Sequence, residues 1–151
     1  MPAIITPAFL KKIETSGRIL DGLAELDQMT SEQRVALPRL PKLSSWECVL
    51  EEVIDTDHEP VYYARFGNEL LNRGYTRTDI QAMRMVAWAT AGWFNFEMMA
   101  WDWCGLSEED MLTGLEHRRD SGDISDRQYS EFKASIDRYK NKPNKSQHPT
   151  A

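Results

Sequence analysis

Between Thr78 and Cys104 the chain places four of its five tryptophans, Trp88, Trp93, Trp101 and Trp103. Phe94, Phe96 and the methionines Met83, Met85, Met98 and Met99 lie in the same stretch. At 100° per residue these side chains point almost all the way round a helix, and a helix that is apolar on every side is buried on every side. The stretch therefore predicts a long central helix wrapped by others. Its longest uncharged run, Met85 to Phe96, has 12 residues, short of the ~20 needed to cross a bilayer.

Helix start and stop signals recur along the rest of the chain. Thr6 followed by Pro7 is an N-cap with proline at the first helical position, opening a helix expected to run to about Gln28. Thr30 with Gln33 has capping-box spacing, and Pro38 stops the short helix it starts. Residues 38–43 read as an extended connector. Ser44 with Glu47 is a second box, heading a helix with Trp46, Val49, Leu50 and Val53. Asp57 is expected to cap a helix from about Glu59 to Arg73, closed by Gly74 in the left-handed conformation. Thr76 with Asp79 opens the central helix, and Gly105 follows it. Ser107 with Asp110 starts a helix ending at Gly122, and Ser125 with Gln128 starts the last, ending near Lys140. No stretch alternates with period two between turn signals. The expected fold is all-α: an irregular bundle of six or seven helices around a long, aromatic-rich central helix, with a C-terminal αα-hairpin at 108–140. Residues 1–142 form one domain in this reading, and the polar residues 143–151 a disordered tail.

Charge narrows the choice of partner. The chain has 18 basic and 24 acidic side chains. Lys140, Lys142 and Lys145 fall at its end, which leaves residues 1–139 with 15 basic against the same 24 acidic. Such a surface is repelled by phosphates and by anionic membranes, so neither a nucleic acid nor a membrane is expected. A basic protein, a cation or a neutral ligand fits better. Cys48 and Cys104 have no zinc spacing and read as reduced, mostly buried thiols. The opening Met-Pro-Ala-Ile-Ile-Thr-Pro is too short for an export signal and lacks a positive start, which makes the expected location cytoplasmic.

Residues that could carry chemistry are sparse. His58 lies among Asp55, Asp57 and Glu59, without the spacing or glycine of an EF-hand, so a solvated acidic loop is expected rather than a metal site. His117 lacks the HExxH partner that would put two ligands on one helix face. There is no GxGxxG and no GxxxxGK[ST], and no serine, threonine or cysteine stands in a recognisable pattern with a base. No catalytic residue, metal or cofactor is assigned.

Two groups remain as candidate binding sites. On the central helix, Glu97 lies one turn from both Trp93 and Trp101. A carboxylate between indoles could hold an amine or a cationic side chain; otherwise it pairs with an arginine such as Arg65 or Arg73, or is simply exposed. Arg84, Asn95 and Asp102 line up on one edge of the same helix, as a solvent seam, a satisfied buried network, or the lining of a pocket. Trp93, Glu97, Trp101, Asn95 and Asp102 are the candidate ligand site. From Glu47 to Ala64 there are six acidic residues and no lysine or arginine. Glu51, Glu52, Asp55 and Asp57, with Tyr62 and Tyr63, form a candidate face for a basic partner, steered by charge and anchored by aromatics.

Two resemblances add to this. Gly122-Asp-Ile124-Ser125-Asp-Arg-Gln-Tyr129-Ser-Glu-Phe132-Lys133, preceded by Leu112 and Leu115, resembles the SHOCT (short C-terminal) helical hairpin over about residues 108–140. Arg127 and Gln128 stand where that family usually has acidic residues. The resemblance implies a small packing or oligomerisation element, hence a possible homo-oligomer. The ending Asn144-Lys-Ser-Gln-His-Pro-Thr-Ala resembles reading frames that run into the recombination site of mobile integron gene cassettes, which implies a bacterial accessory protein. Taken together, the expected function is that of a non-enzymatic binding module with an acidic and aromatic surface. The alternative is a small-molecule or cation site, with or without catalysis, in the core around Glu97.

Overall fold

A computed structural model of the chain describes residues 6–54, 58–97 and 106–140, the side chains of Phe96 and Glu97 excepted. Every regular element among the described residues is helical, as expected: α1 (Pro7–Ile13), α2 (Arg18–Asp27), α3 (Ser31–Val35), α4 (Ser45–Leu50), α5 (Pro60–Asn72), α6 (Arg77–Ala87), α7 (Trp93–Glu97), α8 (Glu108–Asp120) and α9 (Asp126–Lys140). A 3₁₀ turn, Glu51–Val53, extends α4, and a π-helical segment, Trp88–Gly92, joins α6 to α7 without a break. The tail expected at 143–151 and the part of the expected central helix beyond residue 97, up to Cys104, lie outside the described residues.

The caps form where the spacing placed them. Thr30 with Gln33, Ser44 with Glu47 and Thr76 with Asp79 each make a reciprocal capping box. Ser125 and Gln128 exchange the same pair of bonds. Gly74 and Gly122 take positive φ past the ends of α5 and α8. The start of α5 differs from expectation: Glu59 is its N-cap and Pro60 its first residue, whereas Asp57 lies outside the described residues.

The second departure is larger. The single helix expected from Thr6 to about Gln28 is broken at residues 14–17. The cause is tertiary. Arg84, from the central helix, reaches this break and takes the carbonyls of Ile13 (2.9 Å) and Ser16 (3.0 Å). The chain passes so close that a Cβ on Gly17 would lie 1.9 Å from Arg84 Nη2. Any side chain there would have to displace that guanidinium.

The segment from α6 to α7 is wrapped as its composition requires. α4 and α9 pack on α6, and α8 packs on the π segment and α7. Ile80, Met83, Ala87 and Ala91 are fully buried and meet Trp46, Leu50, Met111, Leu115 and Ile136 in one continuous core. Burying each such aliphatic side chain contributes about 1.5–3 kcal/mol. Trp46 Nε1 donates to Ile136 O (2.9 Å) and Tyr75 Oη to Tyr139 O (2.6 Å), docking α9. Two close crossings set the rest. α2 lies on α5, where a Cβ on Gly22 would fall 2.5 Å from the Tyr63 carbonyl carbon. α8 lies on the π segment, where one on Gly114 would fall 2.4 Å from Thr90 O.

Candidate functional site

The 3₁₀ turn after α4 decides where the acidic run points. At three residues per turn, neighbouring side chains diverge by about 120°. Glu51 faces outward, half-buried, and accepts the Tyr62 hydroxyl at 2.5 Å. Glu52 turns inward and is 1% exposed. The same division separates the tyrosines on α5: Tyr62 is at the surface, Tyr63 is buried. The expected partner face therefore loses Glu52 and Tyr63, whose side chains belong to the core. Asp55 and Asp57 lie outside the described residues.

What remains outside is an aromatic platform. His58, Val61, Tyr62 and Arg65 recur at helical spacing along one side of α5 and the residues before it. The His58 ring stacks on Tyr62 at 3.9 Å and 23°, and Phe66 meets it edge-on at 5.2 Å. The Arg65 guanidinium sits 4.4 Å from its centroid, a cation–π distance. Val61 is 50% exposed. Partial burial and then the Glu51 carboxylate push the Tyr62 hydroxyl up to about 12. At neutral pH it is a fixed donor to Glu51. Glu59 is exposed beside it.

Glu52 belongs to a buried ion pair that ties four segments together. Arg84 Nε lies 2.8 and 2.9 Å from the two Glu52 oxygens and Nη2 2.8 Å from Oε2. Neither side chain is more than 1% exposed. Glu52 also accepts Ile19 N–H at the start of α2 (2.7 Å) and Trp88 Nε1–H (2.7 Å). Arg84 also donates to Gln81 Oε1 (2.6 Å), and the Gln81 amide donates to Glu14 O (2.7 Å). With both oxygens occupied by these donors, Glu52 has no acceptor capacity left for a ligand.

The proposed edge of the central helix resolves the same way. Arg84 and Asn95 are fully buried, and Asn95 donates to Val53 O (3.3 Å). Both are buried and partnered rather than facing solvent. Trp93 is half-buried, with the Arg118 guanidinium 5.5 Å from its ring. Arg118 is anchored by Asp123 (2.6 Å) and Ala89 O (2.8 Å). Arg73, a possible partner for Glu97, is committed to Glu69 at 2.8 Å, and Arg65 to Tyr62. The Glu97 side chain, Trp101 and Asp102 lie outside the described residues.

Two further groups are shifted. Glu69 binds Arg39 and Arg73, both at 2.8 Å. The Arg39 hydrogen bond, helped by Leu40 N–H and Arg73, holds its carboxyl down at about 2 against the pull of burial. Burial pushes the Cys48 thiol up to about 12, although Arg73 nearby draws it down. Tyr62, Cys48 and Glu69 all move away from the neutral range in which proton transfer is efficient. No buried side-chain polar atom among the described residues lacks a partner, and no group of histidine, cysteine and carboxylate side chains there could hold a metal. No helix among them is long and apolar enough to cross a membrane.

Sequence reasoning missed Arg65 and His58 as parts of the Tyr62 platform, and Trp88 as a ligand of Glu52. The i, i+3, i+4, i+7 spacing of 58, 61, 62 and 65 was the available signal for the first two. For Trp88 there was none. The fold and its surfaces define a small all-α bundle with a buried ionic hub and an aromatic, acid-edged face. No protein-family model, curated protein or solved structure matches the chain.

Proposed function

We propose that the protein is a binding module, not a catalyst, and that the face built on Tyr62, edged by Glu51 and Glu59, engages a basic segment of a protein partner. One observation carries this reading. Glu51 and Glu59 have no ion-pair partner among the described residues; Glu51 accepts the hydroxyl of Tyr62, whose ring packs on His58 and Phe66, and Glu59 is exposed three residues before Tyr62. Tyrosine and arginine held in place are what interfaces use as anchors, because little side-chain entropy is left to lose. The Arg65 guanidinium already lies over Tyr62 at 4.4 Å, the kind of contact a cationic side chain makes with an aromatic ring. The carboxylates supply attraction over roughly a Debye length, about 8–10 Å at ordinary salt. The buried polar side chains among the described residues are engaged with one another, which supports a reading in which recognition occurs at the surface.

The test is calorimetric titration of the full chain with an arginine- and lysine-rich peptide and with an acidic peptide of equal length, at low and moderate salt. The basic peptide is expected to bind at least tenfold tighter and to weaken as salt rises. Glu51→Gln with Glu59→Gln is expected to cut its affinity about tenfold while leaving the unfolding midpoint nearly unchanged. Equal binding of the two peptides, or an unaltered affinity in the double variant, overturns the proposal.

A further inference from the structure

One side of α5 carries Val61, Arg65, Asn68 and Asn72. Their spacing of i, i+4, i+7 and i+11 aligns them in a stripe roughly 16 Å long, at about 1.5 Å per residue. The two ends of this stripe differ in charge. At its start Glu59, the N-cap, is exposed and makes no side-chain cap bond, and Glu51 stands beside Tyr62. At its end a groove of about 540 Å³ opens between α5 and α3. Val35, Leu37 and Leu71 give the groove apolar walls. Arg34 and Arg39 are its charged groups, Ser31, Asn68 and Asn72 its neutral polar ones, and no carboxylate lines it. Val35 is 84% exposed and Val61, at the other end of the stripe, 50%; both are apolar groups left in water.

The connector between α3 and α4 makes the second end basic. Residues 33–46 include Arg34, Arg39 and Lys42 and no carboxylate, in a chain whose net charge is −6. α5 holds this connector in place. Glu69 accepts Arg39 Nε and Leu40 N–H, both at 2.8 Å. Arg73, the C-cap of α5, donates to Leu40 O (2.8 Å) and Leu43 O (2.7 Å). The turn at 40–43, which contains Lys42, therefore hangs on the C-terminal end of α5. Lys42 is exposed and has no ion-pair partner among the described residues. The Glu69 carboxylate is shared by Arg39 and Arg73, and that of Asp27 by Arg34 and Arg77, so each group of three keeps a single positive charge.

We infer that the basic partner of the Tyr62 face is a second copy of this chain, the two α5 helices crossing antiparallel about a two-fold axis. The inference rests on the reading above that this face takes a basic segment, and it adds where that segment comes from. Antiparallel pairing of the stripe sets Val61 of one copy opposite Asn72 of the other, and Arg65 opposite Asn68. Val61 then enters the groove walled by Val35 and Leu37, and Glu59 comes beside the turn that carries Lys42. Parallel pairing would instead set acid on acid and base on base, which is costly. Each contact is made twice, so the assembly closes at two copies. One helix stripe with its two ends is a small interface, and half-association is expected on the order of 50 μM. The net charge of −6 on each copy opposes approach. Salt therefore acts in both directions, and exchanging charges isolates the local pairing better.

The experiment is sedimentation equilibrium of the full chain up to about 500 μM, well above the expected midpoint. A reversible monomer–dimer equilibrium is expected. Glu59→Lys and Lys42→Glu reverse charge at exposed positions, and each should weaken the dimer about tenfold or more, with the fold intact by circular dichroism. In each variant alone, both copies of the contact become like-charged. In an equimolar mixture both become opposite again, so a mixed dimer should return to within about threefold of the original affinity. Val35→Ser leaves every charge in place and should weaken the dimer about threefold through the groove alone. A chain that stays monomeric, a dimer untouched by both reversals, a mixture that fails to associate, or growth past two copies overturns the proposal. Titration with the arginine- and lysine-rich peptide separates this failure from that of the Tyr62 face. A monomeric chain that still binds the peptide loses only the second copy as partner, whereas one that does neither loses both readings.

Discussion

The Glu52–Arg84 pair gives the sharpest quantitative expectation, because removing one partner strands the other in the core. In Arg84→Met, Glu52 keeps only Ile19 N–H and Trp88 Nε1–H, while the carbonyls of Ile13 and Ser16 lose their donor. An uncompensated buried charge costs about 3–5 kcal/mol. Glu52→Gln strands the guanidinium and should cost about as much. A plain ion pair replaced on both sides by apolar groups can be neutral, but this pair also anchors backbone groups worth about 1–3 kcal/mol each when orphaned. The double variant is therefore expected to lose about 5 kcal/mol, well short of the roughly 8 kcal/mol sum of the single losses, a coupling of about 3 kcal/mol. With a urea slope of about 2 kcal/mol per molar, each single variant should shift the midpoint down by about 2 M. Hydrogen exchange should show where the loss begins. α1 has seven residues, too few to persist alone, so its amides should lose protection in Arg84→Met while those of α5 keep theirs. Losses below about 1 kcal/mol in both single variants, or additive losses in the double, would refute the argument that this pair fastens α1 to the body.

Two other groups have signed expectations. The Glu69 carboxyl sits at about 2 when folded and at 4.5 ordinarily, so its contribution is complete above pH 4.5 and lost as pH falls through that value towards 2. The full shift corresponds to about 3 kcal/mol, but Arg39, its leading partner, is 59% exposed and water weakens that bond. We expect about 1–2 kcal/mol of extra acid destabilisation between pH 5 and 2.5 in urea titrations, absent in Glu69→Gln; an identical pH slope in the variant would refute it. Cys48 is fully buried and its thiol is pushed up to about 12, so little thiolate exists at pH 8. In a Cys104→Ser background, Ellman's reagent should react with it about a hundredfold more slowly in native protein than in urea, and comparable rates would mean the site opens freely.

What was legible in the sequence was local. A Thr or Ser followed three residues later by Gln, Glu or Asp satisfies two helix-end donors whatever lies around it, and so Thr30, Ser44 and Thr76 head helices as read. The central helix was legible as far as Glu97, where the described residues end, because an apolar girdle is buried in water; its π segment was not. The break at residues 14–17 was not, since nothing in Glu14-Thr15-Ser16-Gly17 reveals that an arginine from position 84 will claim the carbonyls of Ile13 and Ser16. Glu51-Glu52 was misread for a related reason. Two adjacent carboxylates look like one solvated patch until the 3₁₀ turn sends them in opposite directions. Tyr62 and Tyr63 are divided in the same way by helical rotation.

That division bears on where recognition is sought. A buried polar group has value to a ligand only if some of its bonding capacity is unspent. In this bundle Arg84 is spent on Ile13, Ser16, Gln81 and Glu52, Asn95 donates to Val53, and Thr90 donates to Val86 O. Arg84 and Asn95 each tie the central helix to another segment, and withdrawing either for binding would loosen the fold. Glu51, which the Glu51–Val53 turn leaves outside beside Tyr62, has no ion-pair partner among the described residues and can take a ligand without loosening the ion pair that holds the helices together. Substituting it tests binding first, whereas substituting Glu52 or Arg84 tests folding first.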